Sequence, residues 1–370
     1  MKIGILTSSR ADFGIYYPLI KQLKEDDIYG VEIIAFGTHL QTEYGYTLDE
    51  IEKLGFEVLH KIKTPINNNS PKDIATNIGM SIQLFADFWS KNDYDLVFAL
   101  GDRYEMFAAV TAASTFNIKI AHIHAGETTL GAIDNSYRHS ISLMSKYLFV
   151  STEEYKKRAI DIIQRENDVF MVGALSIDNL TVQKFYSLIE FKNRFKIDLS
   201  IPTILSTFHP ETVSFEKNEN YIDELIKSFQ ELEDKYQIII TMPNSDTMGD
   251  MIRVKLKNTF RNSKRVKLVE SFGMKGYLSC MKHCSFLLGN TSSGFVEAAF
   301  FPKVVINLGD RQKGRIITDN IINCEIQKKI IMNAVNNITK NTINTHCNIY
   351  GSGNTSQLII KKIKELYEMG

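Results

Sequence analysis

The segment from residue 122 to residue 139 concentrates side chains that can transfer protons. It contains three of the eight histidines of the chain, together with Glu127, Asp134 and Arg138. Proton transfer at a carbon atom needs a positioned imidazole or carboxylate. The acid/base candidates of the whole chain are His39, Asp102, His124, Glu127 and Asp134. His122 alternates with His124 along a predicted strand, so we expect His122 to point into a sheet as a structural residue.

The same segment could hold a metal ion, with His124 and His139 as ligands. No HExxH motif or equivalent spacing supports a metal site. The four cysteines are Cys280, Cys284, Cys324 and Cys347. They lack the two tight pairs that are typical of zinc sites, and the first two are better interpreted as a reduced, structural pair. We therefore predict no metal and no cofactor.

A second candidate site is the sequence GNTSSG (289–294), which separates a predicted strand from a predicted helix. Free backbone N–H groups at a helix start can bind phosphate, although a plain N-cap explains the same residue types equally well. Glu297 would lie about one turn into the helix, where its carboxylate could accept hydrogen bonds from a ribose. This favours a nucleotide over a bare phosphate. The candidate binding residues are Asn290, Thr291, Ser292, Gly294 and Glu297.

A third candidate is the loop from Gly309 to Arg315, which carries three cations including Arg311. An arginine can hold a pyrophosphate through two hydrogen bonds. A solvated charged loop is the commoner explanation for such a run, but the strand predicted directly before it favours function. Other arginines at or soon after predicted strand ends could bind the same diphosphate, and these are Arg10, Arg103 and Arg138.

Short apolar runs alternate with helical patterns along most of the chain. In the first half they predict strands at 3–7, 31–36, 96–100, 119–122, 147–151 and 169–172, with helices such as 16–24 and 104–115 between them. In the second half they predict strands at 203–207, 237–241, 285–288 and 304–308. This alternation is typical of parallel sheets covered by helices on both faces. Ligands of such sheets lie at the carboxyl ends of the strands, where the candidate residues are found.

Length and charge set the limits of this interpretation. The 370 residues fit two domains, which we place at 1–175 and 176–353, with a C-terminal helix in 354–370 that could pack back on the first domain. The 43 Lys and Arg balance 43 Asp and Glu, which argues against nucleic acid or a membrane surface as a main partner. We see no signal peptide or membrane span, so we expect a reduced, cytoplasmic protein.

Eight stretches together resemble the UDP-N-acetylglucosamine 2-epimerase family, and within it the hydrolysing enzymes of sialic acid synthesis. They are SSRADFG (8–14), GTHL (37–40), GDRYEMF (101–107), IAHIHAGE (120–127), IDNSYRHSISLMSK (133–146), FHPET (208–212), GNTSSGFVEA (289–298) and INLGDRQKGR (306–315). They keep their order over nearly the whole chain. The resemblance implies two Rossmann-like domains facing a cleft, as in GT-B glycosyltransferases, with a UDP-sugar as the partner of that cleft. It also implies a homo-oligomer, either a dimer or a tetramer.

The resemblance also implies roles for individual residues. UDP would be held by the second domain through His209, Asn244, Ser271, Phe272, Thr291, Ser292, Glu297 and Arg311, while Arg10 of the first domain reaches the diphosphate. His39, Asp102 and Asp134 match positions around the sugar. The implied reaction removes the C2 proton and expels UDP to give a 2-acetamidoglucal, which water converts to N-acetylmannosamine. No metal or nicotinamide takes part.

One departure from the family pattern falls at the acid/base site. Where many members carry a glutamate, as in HIEGG, this chain has His124, and Glu127 follows three residues later. An extra residue also precedes Asp134. Three alternatives stay open: a UDP- or GDP-linked diacetamido sugar of the legionaminic acid pathway as substrate, a GT-B glycosyltransferase, and a nucleotide-sugar-binding protein without turnover.

Overall fold

The computed structural model describes residues 1–67, 70–243, 248–338 and 348–368. Asn244 and Cys347, both named above, lie outside these ranges. Within them the chain forms two β-sheets, and every strand pairing in both sheets is parallel. The predicted class, α/β with two Rossmann-like domains facing a cleft, is confirmed.

The first sheet has the strand order β3-β2-β1-β4-β5-β6-β7 among the described residues. Its strands are β1 (Lys2–Thr7), β2 (Gly30–Ala35), β3 (His60–Lys61), β4 (Leu96–Leu100), β5 (Ile120–Ile123), β6 (Tyr147–Val150) and β7 (Val169–Met171). The helices around it are α1 (Arg10–Lys24), α2 (Leu48–Lys53), α3 (Pro71–Trp89), α4 (Tyr104–Ser114), α5 (Asp134–Met144), α6 (Glu153–Ile163) and α7 (Leu175–Val182).

The second sheet has the order β10-β9-β8-β11-β12-β13 among the described residues. Its strands are β8 (Thr203–Thr207), β9 (Gln237–Thr241), β10 (Val266–Val269), β11 (Phe286–Gly289), β12 (Val305–Leu308) and β13 (Ile321–Cys324). The remaining helices are α8 (Leu188–Phe195), α9 (Asn218–Leu232), α10 (Gly249–Phe260), α11 (Gly273–His283), α12 (Glu297–Phe300), α13 (Lys328–Ile338) and α14 (Thr355–Glu368).

The central strands are apolar along their whole length because helices cover both faces of each sheet. All five residues of β4, β8 and β9 are buried, which is the pattern expected of a parallel sheet. On one face of the first sheet, Phe98 packs with residues of α1 and α14. On the other face, Val97 packs with residues of α3 and α4. The polar carboxyl ends of the strands are therefore the surface left for a site.

Helix α14 returns from the second half of the chain to the first. Its Ile359 and Ile363 are buried in the same apolar cluster as α1. Asp178 of α7 caps its first turn, since its carboxylate accepts hydrogen bonds from the backbone N–H of Thr355 at 2.9 Å and of Ser356 at 2.7 Å. Such a cap satisfies backbone donors that have no partner within the helix.

Three strands and one helix differ from the sequence-based expectation. Strands β3, β10 and β13 were not predicted, and each lies at an edge of its sheet. The helix expected after residue 294 is a 3-10 turn, Ser292–Gly294, followed by the four-residue α12. Pro302 comes two residues after the end of α12, and the helical conformation is disfavoured for the residue before a proline. No helix in the described ranges is long and apolar enough to cross a membrane.

Candidate active site

One cleft between the two sheets is lined by residues of both halves of the chain. It contains most of the predicted site residues, namely Arg10, His39, Asp102, Arg103, His124, Glu127, Asp134, Arg138, His209, Ser271, Phe272, Thr291, Ser292, Glu297 and Arg311. Asn290 and Gly294 do not line it. The carboxyl ends of the parallel strands meet at this cleft, which explains why residues far apart in sequence converge there.

His124 follows β5 and lies in the left-handed backbone region, with φ of +65°. This conformation is uncommon for a residue other than glycine and is found disproportionately at functional sites. Its Nδ1 lies 2.9 Å from Oε1 of Glu127. Its Nε2 is buried and has no hydrogen-bond partner in the described part of the chain. One ring nitrogen therefore contacts a carboxylate while the other remains available at the cleft.

Glu127 is buried among cations. Its Oε2 accepts a hydrogen bond from Nη1 of Arg315 at 2.7 Å, and Nη1 of Arg138 lies 3.7 Å from the same oxygen. Burial alone would raise the pKa of this carboxyl, but Arg315, His124 and Arg138 outweigh it and hold the pKa well below its usual range. Glu127 is therefore ionised, and its carboxylate lies beside Nδ1 of the His124 imidazole.

Arg138 connects the acidic residues to the backbone of this segment. Its guanidinium donates to the carbonyl oxygen of His124 at 2.8 Å and also contacts the carboxylate of Asp102. The side chain is almost fully buried. Arg138 therefore orients Asp102 and the turn after β5, which differs from the substrate contact that we predicted for it.

Arg103 also has a protein partner. It donates to both carboxylate oxygens of Glu105, from Nη2 at 3.0 Å and from Nε at 3.2 Å. Glu105 is fully buried, and this burial raises its pKa while Arg103 opposes the change. Arg103 still lines the cleft, but much of its hydrogen-bonding capacity serves this carboxylate. The predicted contact with a diphosphate is therefore not its main interaction here.

His39 lines the cleft, and the residue is fully buried. Its Nε2 lies 2.9 Å from Oγ1 of Thr7, and its Nδ1 lies 2.8 Å from Oγ1 of Thr47. Burial lowers its pKa to about 3, so the ring is neutral near pH 7. Both nitrogens contact threonine hydroxyls, and this arrangement fits a positioning residue better than the acid or base that we expected.

Two further carboxylate candidates line the cleft. Asp102 lies two residues after the end of β4, and about a fifth of its side chain is exposed. Asp134 is the first residue of α5 and lines the same cleft. Carboxylates at the end of a strand and at the start of a helix are held by rigid elements, as proton transfer at carbon requires.

Asn290 organises the side of the cleft that belongs to the second sheet. Its side chain accepts a hydrogen bond from the backbone N–H of His209 at 2.7 Å and donates to the carbonyl oxygen of His209 at 2.8 Å. It is fully buried, so its side chain holds His209, and substrate binding by Asn290 stays a prediction. The same is true of Gly294: a Cβ there would lie 2.9 Å from Cγ1 of Val305, so this glycine permits close packing on β12.

The turn after β11 presents hydroxyl groups to the cleft. Oγ1 of Thr291 lies 3.1 Å from Oγ of Ser293, which in turn lies 2.6 Å from the hydroxyl of Tyr277. Ser292 is exposed. Because α12 has only four residues, its helix dipole is small, and the hydroxyls of this turn remain as donors. Burial raises the pKa of Glu297.

Arg10 and Arg311 bring positive charge to the cleft. Arg10 is the first residue of α1, where Asp12 anchors the preceding turn by accepting from the backbone N–H of Ser8 at 2.9 Å. Burial lowers the pKa of Arg10, while nearby carboxylates such as Glu50 oppose the change. Arg311 donates to the carbonyl oxygen of Pro210 at 3.2 Å and also lines the cleft.

His122 has the structural role that its alternation with His124 predicts. It is fully buried, with Nδ1 3.0 Å from the hydroxyl of Ser142 and Nε2 2.7 Å from the carbonyl oxygen of Gly101. Burial lowers its pKa to about 3. In the described ranges there is no group of three or more His, Cys, Asp or Glu side chains arranged to hold a metal ion.

Comparison with known proteins decides the family. The sequence profile of the UDP-N-acetylglucosamine 2-epimerase family matches residues 21–364. The chain belongs to this family. A protein of Escherichia coli named polysialic acid biosynthesis protein P7 is 35% identical to this epimerase-family chain over 340 residues, covering 90% of the chain and 85% of that protein.

A second relative of this epimerase-family chain carries a more specific name. It is the GDP/UDP-N,N'-diacetylbacillosamine 2-epimerase (hydrolyzing) of Campylobacter jejuni, 36% identical over 326 residues, which cover 88% of this chain and 84% of that protein. The fold matches a crystal structure of the UDP-GlcNAc 2-epimerase of Neisseria meningitidis bound to UDP-GlcNAc, with a TM-score of 0.81, 19% identity, and coverage of 99% of this chain and 100% of that one.

Sequence reasoning missed what two cleft residues of this epimerase do. Arg315, expected to help bind pyrophosphate, instead forms the ion pair with Glu127. Gln312 was not considered, yet its side chain accepts from Nε of Arg315 at 2.7 Å and donates to the carbonyl oxygen of Asn290 at 2.8 Å. The signal in the sequence was a Gln and an Arg three residues apart after a strand, but nothing local identified their partners.

Proposed function

We propose that this epimerase-family chain is a hydrolysing UDP-N-acetylglucosamine 2-epimerase. It would convert UDP-N-acetylglucosamine and water into N-acetylmannosamine and UDP, for the synthesis of sialic acid in a surface polysaccharide. The observation that carries the proposal is the available Nε2 of His124, backed by ionised Glu127, in a cleft that also contains Arg10 and Arg311. A proton acceptor and cations for a leaving diphosphate are the two requirements of the first step.

In the first step, Nε2 of His124 takes the proton from C2 of the sugar. The electron pair of the C2–H bond forms the C1=C2 double bond, and the C1–O bond breaks with its electrons leaving on the diphosphate of UDP. The product is a 2-acetamidoglucal. Because the C2 hydrogen is weakly acidic, stabilising the leaving group is as important as the base. Arg10 and Arg311 supply positive charge for this purpose.

In the second step, water adds to the 2-acetamidoglucal. The water oxygen bonds to C1 and loses a proton to a basic group, while C2 receives a proton on the face opposite to the one it lost. Asp102 and Asp134 are two further carboxylates that line the cleft, and we assign the second proton transfer to this pair. The sum is one water consumed and one UDP released, with no redox change.

A second candidate keeps the chemistry and changes the substrate. The Campylobacter jejuni relative, at 36% identity, is named for a diacetamido sugar linked to GDP or UDP. The Neisseria meningitidis protein named UDP-N-acetylglucosamine 2-epimerase is 27% identical over 335 residues. The higher identity to the Campylobacter jejuni relative favours testing a 2,4-diacetamido-trideoxyhexose, as used in legionaminic acid synthesis.

Incubation of the protein with each nucleotide sugar separates these candidates. The substrates are UDP-N-acetylglucosamine and the UDP- and GDP-linked forms of N,N'-diacetylbacillosamine, and the readout is the identity of the free sugar by NMR. N-acetylmannosamine from the first substrate supports our proposal. Turnover of a diacetamido substrate alone would move the assignment to the second candidate. Sugar transfer that needs an added acceptor, without inversion at C2, would indicate a glycosyltransferase.

A further inference from the structure

The ion pair between Arg315 and Glu127 joins the two halves of the molecule inside the cleft. Arg315 follows the second sheet's β12, and Glu127 follows β5 of the first sheet. Nη1 of Arg315 lies 2.7 Å from Oε2 of Glu127, with 4% and 2% of the two side chains exposed. Removing one partner of a buried pair leaves an uncompensated charge, so such a contact strongly constrains both residues.

Backbone contacts hold the two loops together around this pair. The N–H of Leu130 donates to the carbonyl oxygen of Lys313 at 2.8 Å, and the N–H of Ile133 donates to the hydroxyl of Thr212 at 2.9 Å. The N–H of Ile316 donates to the hydroxyl of Tyr155 at 3.2 Å. The position of Glu127 is therefore set by the second half of the chain as well as by its own.

The other carboxylate oxygen of Glu127 determines what His124 can do. Nδ1 of the neutral ring must carry the proton if it faces a carboxylate oxygen at 2.9 Å. Nε2 then has the lone pair, and it is the nitrogen without a partner among the described residues. The group that one ring nitrogen faces sets which nitrogen carries the proton. A displaced Glu127 would release this constraint.

Arg315 is also connected to the nucleotide side. Its Nε donates to Oε1 of Gln312 at 2.7 Å, and Gln312 donates to the carbonyl oxygen of Asn290 at 2.8 Å. Asn290 in turn holds the backbone of His209. One continuous chain of contacts thus runs from His209 to His124 through Arg315.

We propose that Arg315 is a positioning residue of the second domain that holds Glu127 and thereby keeps His124 in the form with Nε2 unprotonated. The proton-transferring group of the first domain is then competent only while the second domain is in contact with it. This inference rests on the proposed function for its catalytic consequence. Its structural part, the state of the His124 ring, can be measured without any substrate.

The charged and titratable groups that face Glu127 are His124, Arg138, Arg315, Tyr155 and Tyr350. With Arg315 removed, Arg138 is the arginine left beside this carboxylate, with its Nη1 3.7 Å from Oε2 of Glu127. The pKa of Glu127 should then rise, because burial is opposed by fewer positive charges. The acidic limb of the kcat–pH profile should therefore move to higher pH.

The kinetic experiment compares Arg315→Met with wild type, with Lys313→Met as the matched control. Lys313 lies two residues away on the same loop, is exposed and does not line the cleft. We expect Arg315→Met to lower kcat by about 100-fold. It should also shift the acidic limb of the kcat–pH profile to higher pH by about one unit or more. The Kd for UDP should change by less than about tenfold, measured by calorimetry. Arg315→Lys should recover part of kcat, and Lys313→Met should behave as wild type.

Two outcomes would overturn this inference. If Arg315→Met weakened UDP binding as much as it reduced kcat/KM and left the pH profile unchanged, Arg315 would be a diphosphate ligand and the inference would be wrong. Wild-type kcat in Arg315→Met would also overturn it.

A second measurement separates this inference from the proposed function. The ¹⁵N shifts of labelled histidine in the unliganded protein report the protonation state of each ring nitrogen. They should assign the proton to Nδ1 of His124 in wild type, and this preference should be lost in Arg315→Met. A proton on Nε2 in wild type would overturn the inference even if the enzyme is active. Absence of turnover with every nucleotide sugar, with the expected shifts, would overturn only the proposed function.

Discussion

Asp102 and Arg311 line different sides of the cleft. We expect substitution of the first to change mainly kcat and substitution of the second to change mainly the Kd for UDP. Asp102→Asn keeps the size of the side chain and removes the carboxylate that Arg138 orients. We expect kcat to fall by about 100-fold to 10,000-fold, while the Kd for UDP stays close to that of wild type. Single-turnover kinetics and calorimetry on the same preparation provide both numbers.

Arg311→Ala should show the opposite pattern. Arg311 lines the nucleotide side and anchors to the carbonyl oxygen of Pro210, so its loss removes positive charge from the diphosphate. We expect the Kd for UDP to rise by about tenfold or more, as for a lost charge-assisted hydrogen bond. If Asp102→Asn and Arg311→Ala weakened UDP equally, the division between a sugar side and a nucleotide side would be refuted.

At the scale of residues, the sequence predicts which side chains reach the cleft better than what each one does. Asp102, His124 and Arg311 all follow strands, and strand ends are visible as local patterns. The roles of Asn290 and Arg315 depend on partners 81 and 188 residues away. No local pattern contains that information, so Asn290 looked like a ligand and Arg315 like a phosphate-binding cation.

At the scale of elements, the contact between residues 126–133 and 309–316 is close enough that one added methyl group would disturb it. A Cβ on Gly131 would lie 2.6 Å from Cα of Arg311 and would also meet the carbonyl oxygen of Asp310. Both obstacles are backbone atoms, which cannot move aside as a flexible side chain can. We expect Gly131→Ala to separate the loops and to lower kcat/KM by about tenfold or more, since small misplacements near a site are costly.

The matched control is Gly79→Ala in α3. A Cβ there meets nothing within 4 Å, and replacing a helical glycine by alanine stabilises by about 0.5–1 kcal/mol. This variant should keep wild-type kinetics and melt slightly higher. Wild-type kcat/KM in Gly131→Ala would contradict the account of the loop contact.

The elements that could not be predicted are explained by their positions. Strands β3, β10 and β13 are edge strands, where a shorter or more polar run is sufficient because one side has no partner strand. Their sequences therefore lack the continuous apolar run that identified β4 or β9. Helix α12 was overestimated because the Gly/Ser turn indicates where a helix starts and not how far it continues.

At the scale of the whole molecule, two buried imidazoles make stability depend on pH. His39 and His122 have pKa values lowered to about 3 by burial. Between about pH 6.5 and pH 3 the unfolded chain binds these protons and the folded protein does not. Their contribution to stability is complete above pH 6.5 and is lost as the pH falls, at up to about 1.4 kcal/mol per pH unit for each group.

Urea unfolding at pH 7.5, 6.5, 5.5 and 5.0 measures this dependence. The free energy of unfolding should decrease from pH 6.5 downward, and His39→Gln should show a shallower decrease than wild type. A wild-type stability that is constant over this range would contradict the assignment of two neutral, buried histidines.

The overall charge of zero conceals the local arrangement that matters at this scale. Arg10 and Arg311 face one cleft from different domains, while the other cleft arginines pair with Glu105, Asp102 or Glu127. Domain limits at residues 175 and 353, and a dimeric or tetrameric state, remain predictions. The fold and the cleft between two domains, by contrast, are established.

We propose that this cleft removes the C2 proton of a UDP-sugar and releases both UDP and the free sugar. The most direct measurement is incubation of the wild-type protein with UDP-N-acetylglucosamine in D₂O, followed by ³¹P and ¹H NMR. We predict free UDP and N-acetylmannosamine that carries deuterium at C2. An intact UDP-sugar epimer as the final product, or a free sugar without deuterium at C2, would contradict the account.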